Sequence, residues 1–345
     1  MKKLIFISLS ALLIFVSCKN QDNIFPDYNY TTVYFPYQSP VRTIILGTDY
    51  VYDNSLDTLH QCEIYATMGG VYSNNVNRTL DVVVDNSLCN KLTYETSSGA
   101  AVLPMPSSYY TLASSQIVIP SGSTMGGVNV QLNDAFFDDP LAVNNTYVIP
   151  LRISKVANAD SILSGLPNVT SPNRNILTDW AILPKDYILF AVKYKNRWDA
   201  TYLRRGIDVG VGNAGNTALD TTVVYHQKNV ENDQSVLTAA TQSMTQLLIS
   251  LNGKNKDNID IPFSLLMTFD GSGNCSISNP ASASYTITGS GKYVKNGDMW
   301  GTIKRDVLYL NYEVNFGTST HTMTDTLVMR DRVEKLETFN PHYNN

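Results

Sequence analysis

Residue types that could do chemistry are present in this sequence, but not at the spacings that chemistry needs. The four histidines, His60, His226, His321 and His342, stand one by one, without the short spacing that brings two imidazoles to one metal. The run Asp257-Asn258-Ile259-Asp260-Ile261-Pro262 starts like the acid ladder Asp-x-x-Asp-x-Asp-x-Glu, whose last Glu protonates a glycosidic oxygen. Its third acid and its Glu are missing. Asp270-Gly271-Ser272-Gly273-Asn274 opens like a calcium loop, yet Cys275 stands sixth and Ala281 twelfth, so the ligand set fails and a hairpin turn is expected. Asp134, Asp138 and Asp139 around Phe136-Phe137 read as a solvated strand connection. There is no Gly-x-Ser-x-Gly elbow or P-loop, and the glycine-rich stretch from Gly206 to Gly212 has no phosphate-binding Lys after it. These patterns predict a protein that is not an enzyme and holds no metal or cofactor.

What remains is binding. Flat aromatic faces suit the C–H surfaces of sugars, and Asn, Asp and Arg complete the bonds to hydroxyls. The chain has 21 Tyr and three Trp, and the tryptophans, Trp180, Trp198 and Trp300, fall in or just before its C-terminal part. Trp300 follows the turn Asn296-Gly297-Asp298 and is the best candidate for an exposed platform. Trp198, Tyr202, Tyr109 and Tyr110 complete the ligand-binding candidates. Adjacent strand residues face opposite sides, so one of Tyr109 and Tyr110 should point inward. Of Arg330 and Arg332, one is expected to pack across a Trp as a cation–π clasp.

The elements that must position these residues are strands. Val128, Val130 and Leu132 alternate with Asn129 and Gln131, and Leu308, Leu310, Tyr312 and Val314 alternate with Tyr309, Asn311 and Glu313. Gly69-Gly70, Ser121-Gly122, Asn252-Gly253 and Asn296-Gly297 punctuate them as turns. The segment from Val236 to Leu251 fits helical spacing, but it is rich in Ser and Thr and lacks a Glu/Lys face, so two short strands are expected. The fold class is all-β. An N-terminal β-sandwich of immunoglobulin-like size spans 26–160, a linker rich in Gly and Pro spans 161–185, and an up-and-down β-barrel spans 186–345. Such a barrel could also carry a small apolar ligand, which would require an open apolar interior.

At 345 residues with 43% hydrophobic and 16% charged side chains, the chain can bury two cores, and a net charge of −5 argues against nucleic acid. Lys2 and Lys3, the apolar run Leu4–Val16 and then Ser17 make a signal peptide over 1–17, too short to anchor by spanning a bilayer. Phe15-Val16-Ser17-Cys18 is similar to a bacterial lipobox, with Phe15 where Leu is usual. Cys18 is therefore the expected lipidation site and 18–25 a tether; cleavage removes Lys2 and Lys3 and takes the charge to −7. The protein is expected at the outer membrane, lipid-anchored and facing the cell surface. Cys62, Cys89 and Cys275 read as small buried hydrophobes, with a Cys62–Cys89 pair left open.

Two family likenesses follow from particular residues. Val33-Tyr34-Phe35-Pro36, Gly69-Gly70, Val84–Leu88, Met105-Pro106 running into Tyr109–Leu112, Ile119–Gly122 and Tyr147–Leu151 resemble a domain of unknown function common in Bacteroidetes surface lipoproteins, some of which join it to glycosidases. Trp180, Pro184–Tyr187, Val192–Tyr194, the Arg197-Trp198 to Tyr202 opening with Gly206, Gly289–Lys292, Trp300-Gly301 and Asp325–Arg332 resemble a second uncharacterised domain of calycin or lipocalin type. That resemblance implies that Trp198 closes the barrel floor. Together the likenesses imply a surface lipoprotein of a polysaccharide-utilisation system, with glycan, a TonB-dependent transporter and that transporter's lipoprotein lid as partners. The function expected is non-catalytic glycan binding or import; the alternative is docking to a transporter or other surface protein without saccharide affinity.

Overall fold

The structure is a computed structural model that describes residues 27–49, 51–226, 236–332 and 335–344. The signal peptide and Cys18 lie outside the described residues.

The N-terminal module is two β-sheets packed face to face. One has the strand order Ser161–Ile162, Thr32–Tyr34, Gln61–Gly69, Met125–Leu132, Tyr110–Leu112. The other runs Glu337–Thr338, Pro40–Ile45, Tyr187–Lys195, Tyr147–Ala157, Arg78–Val84, Gln116–Ile119. Alternation decides what lies between them: Cys62, Ile64, Ala66 and Met68 point inward from one sheet and meet Leu80, Ile117, Ile149 and Tyr194 from the other. Tyr147–Leu151 is buried at every position because the outer face of its sheet is covered too. There Val148, Tyr187, Leu189 and Ala191 pack with Leu88, Leu92, Tyr94 and Phe339.

The C-terminal module is a closed antiparallel barrel of eight strands: Ala200–Gly212, Val236–Thr241, Gln246–Lys254, Asp260–Phe269, Asn274–Ser278, Thr286–Trp300, Ile303–Asn315 and Ser319–Asp331. The first and last close it, paired from Thr201 opposite Asp331 to Gly212 opposite Ser319, with one register shift between Thr201 and Tyr202. Thr221–Tyr225 adds a further strand beside the far half of the first. The stretch that could have been helical is two strands, as its Ser and Thr content implied. The end nearest the sandwich is filled by Tyr202, Leu247, Ile249, Leu265, Met267, Leu308, Leu310, Leu327 and Met329, all fully buried, so the interior is a packed core rather than an apolar ligand cavity.

The domain boundary needs correction. Tyr187–Lys195, expected within the barrel module of 186–345, is a central strand of the sandwich, antiparallel to Tyr147–Ala157 and parallel to Pro40–Ile45. The chain leaves the sandwich only after Lys195. It also comes back: Glu337–Thr338 pairs with Pro40–Val41, and Pro341–Tyr343 pairs with Leu92–Tyr94. Nor is the 161–185 stretch a bare linker. Leu166–Pro167 pairs with Trp180–Ile182, and the buried Trp180 indole donates to the Asn173 carbonyl at 2.8 Å. All three described cysteines are buried and free, and burial pushes each thiol up to about 12.

Candidate functional site

Where the barrel meets the sandwich, one end of the barrel and two sandwich loops enclose a cleft of about 570 Å³. The sandwich contributes Leu46, Gly47, Thr58 and His60; the crossing segment contributes Asn196, Arg197 and Trp198; the barrel contributes Met244, Thr245, the turn Asp270–Gly273, Tyr293 and Lys295. The volume falls in the range of small-molecule sites, and a junction between modules is a common place for one.

The floor is aromatic. Trp198 stacks on Phe269 with ring centroids 3.9 Å apart and planes 11° from parallel, and Tyr293 stands edge-on to it at 6.4 Å. Although Trp198 is 95% buried, its indole N–H has no acceptor among the described residues. Asn196 supports this floor from below: its amide nitrogen donates to the Ser243 and Gln246 carbonyls, and its oxygen accepts from the Trp198 and Asp199 amides. His60 is held at φ +58° with its ring 4.2 Å from that of Phe137. Gly47, at φ +89°, lets the sandwich approach the crossing segment; a Cβ there would lie 2.8 Å from Cβ of Arg197.

Arg332 sets the relative position of the two walls. Its guanidinium donates to the Asp199 carbonyl at 3.1 Å, the Leu46 carbonyl at 2.6 Å and the Asn196 carbonyl at 2.5 Å, tying the last barrel strand, the crossing and the sandwich together. Burial pulls its pKa below the usual arginine value. The clasp expected of this pair is therefore real but works through backbone carbonyls instead of a tryptophan face. Arg197 is the guanidinium near Trp198, 5.8 Å from the ring centre, and Arg330 is exposed beside Asp331.

The Asp270 turn is the hairpin connection its sequence implied, and it also forms a wall of the cleft. Asp270 accepts from the Ser272 and Asn274 amides and from the Asn274 side chain, and that side chain foremost holds its carboxyl below the ordinary value.

Other expected ligand contacts lie elsewhere. Tyr202 is a core residue, fully buried, donating to the Trp198 carbonyl at 2.7 Å. Tyr110 is buried in the sandwich core, while Tyr109 is half-buried and donates to Asp139. Neither Tyr202 nor Tyr110 presents a face to a ligand, because alternation turned both inward. Trp198 contributes to the cleft from its floor, not as an exposed platform. Trp300 ends its strand opposite Ile303, five residues beyond Lys295 at the same end of the barrel; its side chain lies outside the described residues. Asp139, one of the three clustered acids, accepts from Tyr109 and Tyr147 and caps a turn at Leu141, so it is a tie between loops. No group of His, Cys, Asp and Glu among the described residues is arranged to hold a metal.

A second polar constellation, which single-residue reading missed, lines the inside of the far half of the barrel along its closing seam. Arg204 pairs with Asp325 at 3.0 Å and donates to the Asn252 carbonyl, and Tyr312 donates to the other Asp325 oxygen at 2.5 Å. Beside them Asp208 lies 2.8 Å from Nδ1 of His321, whose Nε2 lies 3.2 Å from Oγ of Ser319. Those are the types of a hydrolytic triad, but all three side chains are buried and a nucleophile needs an open approach. The only sequence clue was their shared parity on the two closing strands.

Two family models match the chain: DUF5627, a domain of unknown function, over residues 197–333, and an N-terminal domain model over residues 28–160. The first begins where the chain enters the barrel. A crystal structure of a Bacteroides ovatus protein of unknown function is 38% identical, with a TM-score of 0.84 over 92% of this chain and 100% of that one. A multidomain Bacteroides ovatus protein including DUF1735 is 13% identical, with a TM-score of 0.39 over 87% of this chain and 94% of that one. A candidate carbohydrate binding protein of the same species is 12% identical, with a TM-score of 0.29 over 88% and 99%. These last two are too distant to carry an argument about a site. No curated protein matches the chain.

Proposed function

This chain belongs to the family of that 38% identical Bacteroides ovatus protein, and on that premise we propose that it is a non-catalytic surface lipoprotein that binds glycan in the cleft between its two modules. The observation that carries the reading is the cleft itself: a preformed cavity lined by Trp198 and Tyr293, with polar side chains of the sandwich and barrel around them. Aromatic floor and polar rim are the complement of a sugar ring, apolar on its faces and hydroxylated at its edge. Lipidation at Cys18 would hold the body at the outer membrane, and a polysaccharide-utilisation system with a TonB-dependent transporter would receive what the cleft captures. Among the described residues the cleft is lined by one carboxylate, Asp270, where glycoside cleavage uses two.

The test is affinity electrophoresis of the full chain, solubilised in detergent, in gels containing plant, fungal and host polysaccharides. Retardation by at least one polymer, lost in Ser272→Trp, whose exposed turn position lets an indole fill the cleft, is the expected result. Trp300→Ala, run alongside, reports whether the neighbouring hairpin extends the site. No retardation across the panel, or retardation that Ser272→Trp leaves intact, overturns the cleft reading. The first of those results favours the alternative, docking to the transporter or another surface protein.

A further inference from the structure

Charge around the cleft is unevenly paired. Its carboxylate, Asp270, accepts from three N–H groups of its own turn, and the Asn196 oxygen accepts from two backbone amides. The Thr58 hydroxyl donates to the Asn54 carbonyl, and those of Thr245 and Ser272 make no side-chain hydrogen bond among the described residues. The charged nitrogen donors are open as well. Arg197 and Lys295, both exposed, make no ion pair or side-chain hydrogen bond among the described residues, the imidazole of His60 makes no hydrogen bond, and the indole N–H of Trp198 is buried without an acceptor. Nearby, Lys195 lies 3.3 Å from Asp199, and the buried Asp306 accepts from the Tyr293 hydroxyl and the Asn296 amide. Two cations without an ion-pair partner among the described residues, Arg197 and Lys295, thus share a cavity with one carboxylate, Asp270, in a chain whose net charge is −5.

A neutral sugar needs donors and acceptors in similar number, since each hydroxyl does both. A cavity whose two cations are unpaired while its one carboxylate is held by its own turn suits a ligand that brings anionic acceptors, and charge-assisted N–H···carboxylate bonds are the strong ones. We infer that the cleft recognises an acidic saccharide, one whose uronic carboxylates meet Arg197 and Lys295. The inference rests on the glycan-binding reading and adds the substrate class.

The experiment compares polygalacturonate with the same polymer fully methyl-esterified, which keeps the backbone and removes the charge. Dextran sulfate and dextran form a second such pair. All are run against the full chain in detergent, as wild type, Arg197→Gln/Lys295→Gln and Ser272→Trp. The expected result is retention by polygalacturonate, weakened about tenfold or more by esterification, by the double substitution and by 0.5 M salt. Both substituted positions are exposed, so near-ultraviolet circular dichroism should match wild type. Retention by neutral polymers that Ser272→Trp abolishes and the charge pair does not affect overturns the acidic class while leaving glycan binding standing. Retention by dextran sulfate but not polygalacturonate overturns the uronate assignment. Polygalacturonate binding that the double substitution leaves unchanged overturns it as well, and no retention by any polymer overturns both readings.

Discussion

The barrel seam and the interdomain cleft gather similar side chains and treat them oppositely. In the seam, Arg204 meets Asp325, Tyr312 meets the same carboxylate, and His321 lies between Asp208 and Ser319. In the cleft, Arg197, Lys295, His60 and the Trp198 indole have no such partners among the described residues, and the carboxylate present is occupied by its own turn. Internal pairing is how a fold tolerates polarity in its core; unpaired donors around a cavity are what a ligand completes. The lesson is that residue type does not separate structure from function in this molecule. The Ser-His-Asp set that looks catalytic is hydrogen-bonded along its length, with one Asp208 oxygen left without a partner among the described residues, and the scattered Arg, Lys and Trp are the ones left open.

That contrast can be broken by experiment. The largest effect belongs to Arg204→Ala, which strands the buried Asp325 carboxylate. Urea denaturation should show a loss of about 3–5 kcal/mol, and a loss under 1 kcal/mol would mean that the seam is not an interlocked unit. Next comes Arg332→Ala, which leaves three carbonyls at the module junction without their donor; about 2–3 kcal/mol of destabilisation is expected, with saccharide affinity falling as the cleft walls lose their register. Asp208→Asn keeps an acceptor beside His321 and should cost only about 1 kcal/mol.

The cleft variants stand at the other end. Arg197→Gln and Lys295→Gln should change stability by no more than about 0.5 kcal/mol while weakening ligand binding, because both are exposed and neither makes an ion pair among the described residues; the contact of Arg197 with the fold's interior is the Trp198 ring 5.8 Å away. The thiols offer a further check on burial. With folded pKa values raised by desolvation, Cys62, Cys89 and Cys275 stay protonated in the native state, so their contribution to stability is fully present below the unfolded thiol pKa and is lost progressively as pH rises from there to about 12. At pH 8 none of the three should react with a thiol reagent until urea is added; prompt native reaction would mean an open path into those cores.

Much of the architecture was legible because period-2 alternation is a local signal. Val128, Val130 and Leu132 point inward as their spacing implied, and the long alternating run from Leu308 to Val314 is a barrel strand. The parentage of Tyr187–Lys195 was not legible. It is apolar along most of its length, consistent with burial on both faces, but such a run does not say which sheet buries it, and its partners lie about 40 and 150 residues upstream. The cleft was least visible of all. It is assembled from Gly47, His60, Arg197, Asp270 and Lys295, residues that no window of sequence contains together. The Asp270 turn was recognised as a turn, yet nothing local revealed that it faces a cavity.

The return of the chain after Arg332 makes the barrel an insertion. Residues synthesised after the barrel supply an edge strand, Glu337–Thr338, and a core aromatic, Phe339, to the sandwich whose first strands were made some 300 residues earlier. During translation the barrel therefore has all its strands before the sandwich does, and the sandwich must wait with one sheet edge unpaired. A clip near residue 335 would leave the barrel complete and uncover Leu92, Tyr94 and Val148 on the sandwich, so proteolysis at that one point would turn a folded protein into an adhesive one.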